Sequence, residues 1–331
     1  MEVSNTIGID ISKLTLDAHD HLANAHLQVT NDSKGFKQLH KWIRNNNGKT
    51  PSGLLIIMEF TGLYSYRFEQ FLYSKKLLFT KRSPLDIRRS SGIVRGKTDK
   101  ADARTIARYG WQKRDELEPL NKQADYHVRL HNLMTHRELL VTQAAAHKAA
   151  LTELTHQLGA DMDGAIRESA EYVVAVMEGQ IKSIEKEISG LIAAHHELAQ
   201  NYMLLCSVKG IGFVTAVYAL LYTENFKRFD DARKFNSYCG IAPFAYGSGT
   251  SIHGRTKVSH LANKKMKSLM HQAAIIATVY DPELKAYFLR KKAEGKHKMS
   301  IYNAIRAKLV GRMFAVINRQ TPYTENYLYA A

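Results

Sequence analysis

The chain has 331 residues, 45 % of them hydrophobic, enough for packed cores and about two domains. No apolar run approaches the ~20 residues of a membrane span, and only two cysteines occur, Cys206 and Cys239, which argues against a disulfide scaffold. Forty-seven Lys and Arg against 31 Asp and Glu give a net charge of +16, an excess that favours a polyanionic partner. The first residues lead straight into a strand pattern, with no basic flank, long apolar core or cleavage site. A cytoplasmic protein without a membrane anchor is expected, associated with the nucleoid when bound to DNA.

In chain order, TIGIDIS reads as a short apolar strand, and LTLDAHDHLANAHLQVTN alternates as one or two further strands. KGFKQLHKWIRNN has helical spacing through Phe36, Leu39 and Ile43. LLIIMEF is a near-continuous apolar run, as in buried central strands. YSYRFEQFLYSKK is helical, LLFT a strand, and KADARTIARYGW a helix. Strands followed by alternating helix and strand predict a three-layer mixed sheet, an α/β domain over residues 1–118.

Residues 119–200 read as helix almost throughout. Met177, Ile181, Ile184, Ile188 and Leu191 step by four and three, the spacing of a coiled-coil seam, among Glu178, Lys182, Glu185, Lys186 and Glu187. This is a helical spacer, either a bundle helix or a dimer seam. His127 and His131 stand one helical turn apart, but without an acidic or cysteine neighbour they read as a solvated helix face.

Residues 201–331 form a mostly helical third part. LLCSVKGIGFVTAVYALL sets the turn Lys209-Gly210-Ile211-Gly212 between two apolar helical stretches. That is either a helix-hairpin-helix presenting N–H groups to a phosphate or a tight turn using glycine for close packing. FAYGSGTSIHGR, residues 244–255, reads as a loop. Its small residues suit either a linker or a backbone that lets a phosphate approach a serine, Ser248 or Ser251, with His253 and Arg255 nearby. Helical segments at 261–279, 283–293 and 299–317 complete the chain.

Four carboxylates stand out. Asp10 ends the first strand and Glu59 the buried one, at carboxyl-terminal strand edges where open α/β sheets place their sites. Asp99 and Asp102, three apart in KTDKADA, share a helical face behind Thr98 as N-cap. Gathered acids repel one another unless a cation neutralises them, and oxygen-rich sets suit Mg²⁺ or Mn²⁺. The alternative is pairing of Asp99 and Asp102 with Lys97, Lys100 or Arg104 on a solvated face. From Lys81 to Arg108 there are nine basic residues, among them Arg88, Arg89, Arg95, Lys97 and Arg104, against three aspartates. A nucleic-acid backbone fits that stretch.

IGIDISK, MEFTGLY, KTDKADA, GIG and GSGTSIHG together, in this order, resemble the DEDD transposases, the bridge-RNA-guided recombinases of insertion sequences, related to Piv-type DNA invertases. The resemblance runs from the first strand to beyond residue 280. It implies a RuvC-like (RNase H-like) first domain, a coiled-coil region and a C-terminal transposase domain. It implies Asp10, Glu59, Asp99 and Asp102 as metal ligands for Mg²⁺ or Mn²⁺, and Ser248 as the nucleophile that forms a phosphoserine link to DNA. Arg88, Arg89, Arg95, Lys97, Arg104, Lys209 and Arg255 are the expected nucleic-acid contacts. Implied partners are donor and target DNA, a structured noncoding guide RNA, and further copies in a homodimer or homotetramer.

Two departures stand against the family pattern. Phe60 replaces a usual alanine beside Glu59, and Ser259-His260-Leu261-Ala262-Asn263 replaces a usual SK-x-G, where Asn263 is expected to keep a left-handed turn. The competing readings are a RuvC-like nuclease using water, an invertase without a guide RNA, and an actin-like kinase or ATPase opened by IGIDIS. The last would need a second Gly-rich phosphate loop, and no convincing one is found.

Overall fold

The structure, a computed structural model, describes residues 2–48, 53–60, 62–90, 92, 98–122, 124–159, 163–248 and 252–324. The chain divides into two units, Met1–Gln123 and Ala124–Ala331.

The first unit is built on a five-stranded sheet in the order β3-β2-β1-β4-β5. β1 (Asn5–Ile11) pairs antiparallel with β2 (Thr15–Asp20), which pairs antiparallel with β3 (Ala25–Thr30). On its other side β1 runs parallel to β4 (Leu54–Glu59), and β4 runs parallel to β5 (Phe79–Arg82). β1 and β4 are central and covered on both faces, which is why both read as unbroken apolar runs. Their residues still divide by parity. Ile7, Ile9, Ile11, Leu54, Ile56 and Met58 meet α1 (Ser33–Asn47) and α2 (Tyr66–Ser74) in one core. Leu55 and Ile57 meet Ile87 of α3 (Pro84–Ser90) and Ile106 and Tyr109 of α4 (Asp99–Gln112) on the opposite face. This is the expected three-layer α/β domain. α3, only seven residues long, is an addition to the sequence reading.

The second unit is helical. α5 (Asp125–Leu158) and α6 (Gly164–Ala193) form an antiparallel hairpin, and the seam residues Ile184 and Ile188 pack with Leu130 and Met134 of α5. Arg129–Glu187, Arg137–Glu185 and Lys148–Glu178 flank that seam with ion pairs. His127 is half-buried, not on a solvated face, while His131 is exposed. α7 (His196–Cys206) and α8 (Phe213–Tyr222) enclose the glycine turn, where Gly210 has φ +93° and a Cβ would meet Ala273 O at 2.6 Å. Glycine is needed there for both conformation and close approach. α9 (Ala232–Tyr238), α10 (Lys264–Tyr280), α11 (Pro282–Ala293) and α12 (Lys298–Arg319) complete one apolar core with α5 to α8.

The segment read as a loop is largely a two-stranded antiparallel ribbon, β6 (Pro243–Ser248) and β7 (Ile252–Val258). Alternating aromatic and β-branched residues on the two arms favour pairing, and the register slips between Phe244 and Tyr246. Asn263 does not hold a left-handed turn. Its φ is −69°, and its side chain caps α10 by accepting from Met266 N at 2.8 Å. A short polar side chain serves a helix N-terminus as readily as a turn. Among the described residues no helix is long and apolar enough to cross a membrane.

Candidate functional site

The sheet face that carries α4 is polar at one end. Thr6, Gly8 and Asp10 alternate with the apolar core residues of β1 and so face α4. Thr6 Oγ1 donates to Ala107 O at 3.0 Å. A Cβ on Gly8 would fall 2.2 Å from Ala107 N and 2.3 Å from Ala103 O, so the glycine lets the helix lie directly on the strand. Gly110, one turn further along α4, lies over Ile57 of β4. The helix therefore runs back along β1, and its N-terminal turn stands at the end where Asp10 emerges.

That turn holds Asp99 and Asp102, and Thr98 caps it by accepting from Ala101 N at 3.2 Å. Carboxylates in a first helical turn also meet the positive end of the helix dipole. The β1–β4 register runs to Ile9 opposite Met58, so Asp10 and Glu59 are the next residues on adjacent parallel strands. Glu59 shares its parity with Leu55 and Ile57 and faces the same layer. Strand parity thus turns Asp10 and Glu59 toward the layer of α4, and the charges of Asp102 and Asp99 reach Asp10.

Burial first, and then the charges of Asp102 and Asp99, push the Asp10 carboxyl above its ordinary value. Among the described residues no lysine or arginine forms an ion pair with Asp10, Asp99 or Asp102. Nor do three His, Cys, Asp or Glu side chains among the described residues enclose a metal position. The donor set still fits a hard divalent cation: oxygen ligands, excess negative charge and a half-open edge.

A fifth carboxylate was not read from the sequence. Asp17 of β2 stands opposite Asp10 in the strand register and is 3 % exposed. Its oxygens are fixed by His26 Nε2 and Gln28 Nε2, each at 2.9 Å. The only sequence signal was the alternation of TLDAHD, where a charged residue ordinarily marks the solvent side. Beside it His19 is buried, with Nδ1 unpartnered, and its pKa is lowered by burial and then by Arg104.

Of the expected nucleic-acid contacts, Arg88 and Arg89 are exposed in the last turn of α3, and Arg104 is exposed on α4. Lys209 is half-buried in the glycine turn of the second unit. Arg95, Lys97 and Ser251 lie outside the described residues, as does the side chain of Arg255 on β7. Ser248 closes β6, its Cα paired with that of Ile252, so the acids belong to the first unit and the serine to the second. Phe60 turns outward, 54 % exposed, with Lys81 Nζ 5.5 Å from its ring centre.

The strand order, the antiparallel second strand and the acidic edge define a RuvC-like domain, followed here by a helical region. A DEDD transposase family model matches residues 7–158, and the model of the IS116/IS110/IS902 transposase family matches residues 202–289. The pilin gene-inverting proteins of Moraxella bovis and Moraxella lacunata are each 30 % identical, over 96 % of this chain and 97 % of their own length. An uncharacterized 43.6 kDa protein of insertion element IS110 from Streptomyces coelicolor is 31 % identical over 49 % of the chain and 38 % of its own length. The chain belongs to the IS110-type family of DEDD transposases and DNA invertases, and it is an enzyme of DNA recombination.

Proposed function

We propose that the chain cuts and rejoins DNA strands through Ser248, assisted by a divalent metal, Mg²⁺ or Mn²⁺, held by Asp10, Glu59, Asp99 and Asp102. The observation that supports this reading is the charge that Asp99 and Asp102 exert on Asp10, at the strand edge where Glu59 also ends β4. A bound cation would supply Lewis-acid stabilisation of charge on the phosphodiester oxygens. Ser248 Oγ attacks phosphorus and loses its proton as a new O–P bond forms. One sugar oxygen leaves with the displaced electron pair and takes up a proton. The phosphoserine link preserves the energy of the broken ester, so a second strand's hydroxyl can reverse the step and release the serine. Exposed Arg88, Arg89 and Arg104 are suited to hold the DNA backbone, with Lys209 and Arg255 as further contacts.

A structured noncoding RNA that pairs with donor and target DNA would supply sequence choice, in an assembly of two or four copies. The second reading is an invertase that needs no RNA. It is favoured by the near-full-length likeness to pilin gene-inverting proteins. Recombination of the DNA flanking the gene, assayed with purified protein before and after ribonuclease treatment, separates the two. Loss of activity with ribonuclease supports a guide RNA, and retained activity supports the invertase. Activity that survives EDTA would refute the metal-assisted reading itself.

A further inference from the structure

The helices α11 and α12 join at a corner of one-sided charge. From Arg290 to Lys298 there are five basic residues, Arg290, Lys291, Lys292, Lys296 and Lys298, and a single acid, Glu294. They occupy the last turn of α11, the connection and the start of α12. Gly295 follows α11 with φ +75°; its N–H donates to Lys292 O at 3.0 Å, and Lys296 N donates to Lys291 O at 3.1 Å. This is a left-handed glycine stop, which folds the chain back over the helix end. Lys296 is thereby brought beside the α11 cations. The Glu294 carboxyl is held below its ordinary value first by its hydrogen bond from Lys291, and then by the charges of Lys291, Arg290 and Lys296.

Glu294 is committed to Lys291, whose Nζ lies 2.7 Å away. Among the described residues Arg290, Lys292, Lys296 and Lys298 form no ion pair, and all four are exposed. Helix electrostatics accounts for only part of this set. Arg290, Lys291 and Lys292 complement the negative end of α11, but Lys296 and Lys298 stand at the positive end of α12, where cations are unfavourable. The first turn of α12 holds no acid to offset them. At the other end of the same two helices the charges are balanced, since Arg312 pairs with Asp281 and Glu283. Aromatic rings support two of the corner cations. The Arg290 guanidinium lies 5.6 Å from the ring centre of Tyr287, and Lys298 Nζ lies 5.8 Å from that of Tyr302.

We propose that Arg290, Lys292, Lys296 and Lys298 form a clamp on the sugar–phosphate backbone of duplex DNA at the α11–α12 corner. The four cations are accessible, unpaired and gathered at one place, as phosphate contacts that release counterions require. DNA is the polyanion that an enzyme of DNA recombination must hold, and such contacts position a duplex without reading its sequence. The clamp gives the second unit a DNA contact of its own, in addition to Arg88, Arg89 and Arg104 of the first. It rests neither on Ser248 nor on the acids. Binding measured in EDTA reads it without strand cleavage and so stands apart from any test of the serine or the metal.

The full chain and two double variants, Arg290→Gln with Lys292→Gln and Lys296→Gln with Lys298→Gln, are titrated with a mixed-sequence DNA duplex of about 30 base pairs, between about 50 and 200 mM KCl. The same titration is run with an RNA duplex of the same sequence. A matched control, Lys37→Gln with Lys41→Gln, removes two exposed charges from α1. Each lost phosphate contact lowers the slope of log affinity against log salt by about 0.9, and each corner variant is expected to lose one or two contacts. Circular dichroism and the unfolding midpoint are recorded for every variant. Lys296→Gln with Lys298→Gln relieves the positive end of α12 and should not lower the midpoint. It carries the test alone where the α11 variant does not fold. A DNA slope unchanged in the corner variants that fold, or lowered as much in the α1 control, overturns the proposal. A slope that falls only with the RNA duplex overturns the assignment to DNA.

Discussion

Asp10 takes its environment from three neighbouring elements: Glu59 beside it on β4, the α4 turn above it and Asp17 across β2. Asp17 is too buried to be a casual surface charge, and its charge reaches Asp10 while His26 and Gln28 of β3 hold its two oxygens. Carboxylates next to metal ligands orient them or their bound waters, and losing one typically costs about 10- to 100-fold in metal affinity. Asp17→Asn is expected to weaken Mn²⁺ binding by about that factor, read by calorimetry, with the fold retained. Unchanged Mn²⁺ affinity would limit Asp17 to tying β2 to β3. A different residue contributes to the pH response of the second unit. Burial, the largest effect on His127, holds its pKa below the ordinary 6.5. The unfolded chain therefore binds the proton more readily, and stability present above about pH 6.5 is lost as the pH falls below it. Chemical denaturation between pH 7.5 and 5 should show a shallower decline in His127→Gln than in the parent; equal slopes would contradict the assignment.

At the scale of elements, the site depends on α4 lying on β1 without intervening side chains. Gly8→Ala would place a methyl inside the backbone of α4. Overpacking of this kind costs about 1–3 kcal/mol or more, and relief requires the helix to lift, carrying Asp99 and Asp102 with it. The variant should lower the unfolding midpoint and reduce metal-dependent cleavage together. A destabilised protein with full cleavage activity would show that the helix position is not critical. The sequence made β1 and β4 legible because both are buried on two faces and apolar throughout. It also made the α4 cap legible, since Thr98 precedes two acids at helical spacing. The ribbon was not legible, because glycines and small hydroxyls at its tip mask the alternation on its arms. The partner of the α6 seam was not legible either, since an intrachain hairpin and a dimer need the same heptad spacing.

For the whole molecule, the two units own separate cores. Sheet residues and α1 to α4 fill the cores of the first, and α5 to α12 share the core of the second. Ile188 is fully buried in that second core, and truncating such a residue costs about 2–5 kcal/mol. Ile188→Ala should lower the unfolding transition of the second unit and leave that of the first unmoved, as followed by calorimetry. A single transition shifted as a whole would mean that the units unfold as one. The division also sets the chemical problem, because the acidic edge lies in one unit and Ser248 in the other. Composition and charge indicated a nucleic-acid partner, and the order of motifs indicated the family. The joining of serine and acids in one reaction is the central claim. Its most direct measurement is denaturing electrophoresis of the protein after reaction with end-labelled DNA flanking its gene, followed by peptide mapping of the adduct. The account predicts a covalent adduct on Ser248 that requires divalent metal, persists in Ser251→Ala, and disappears in Ser248→Ala and Asp10→Ala. An undiminished adduct in Ser248→Ala would contradict it.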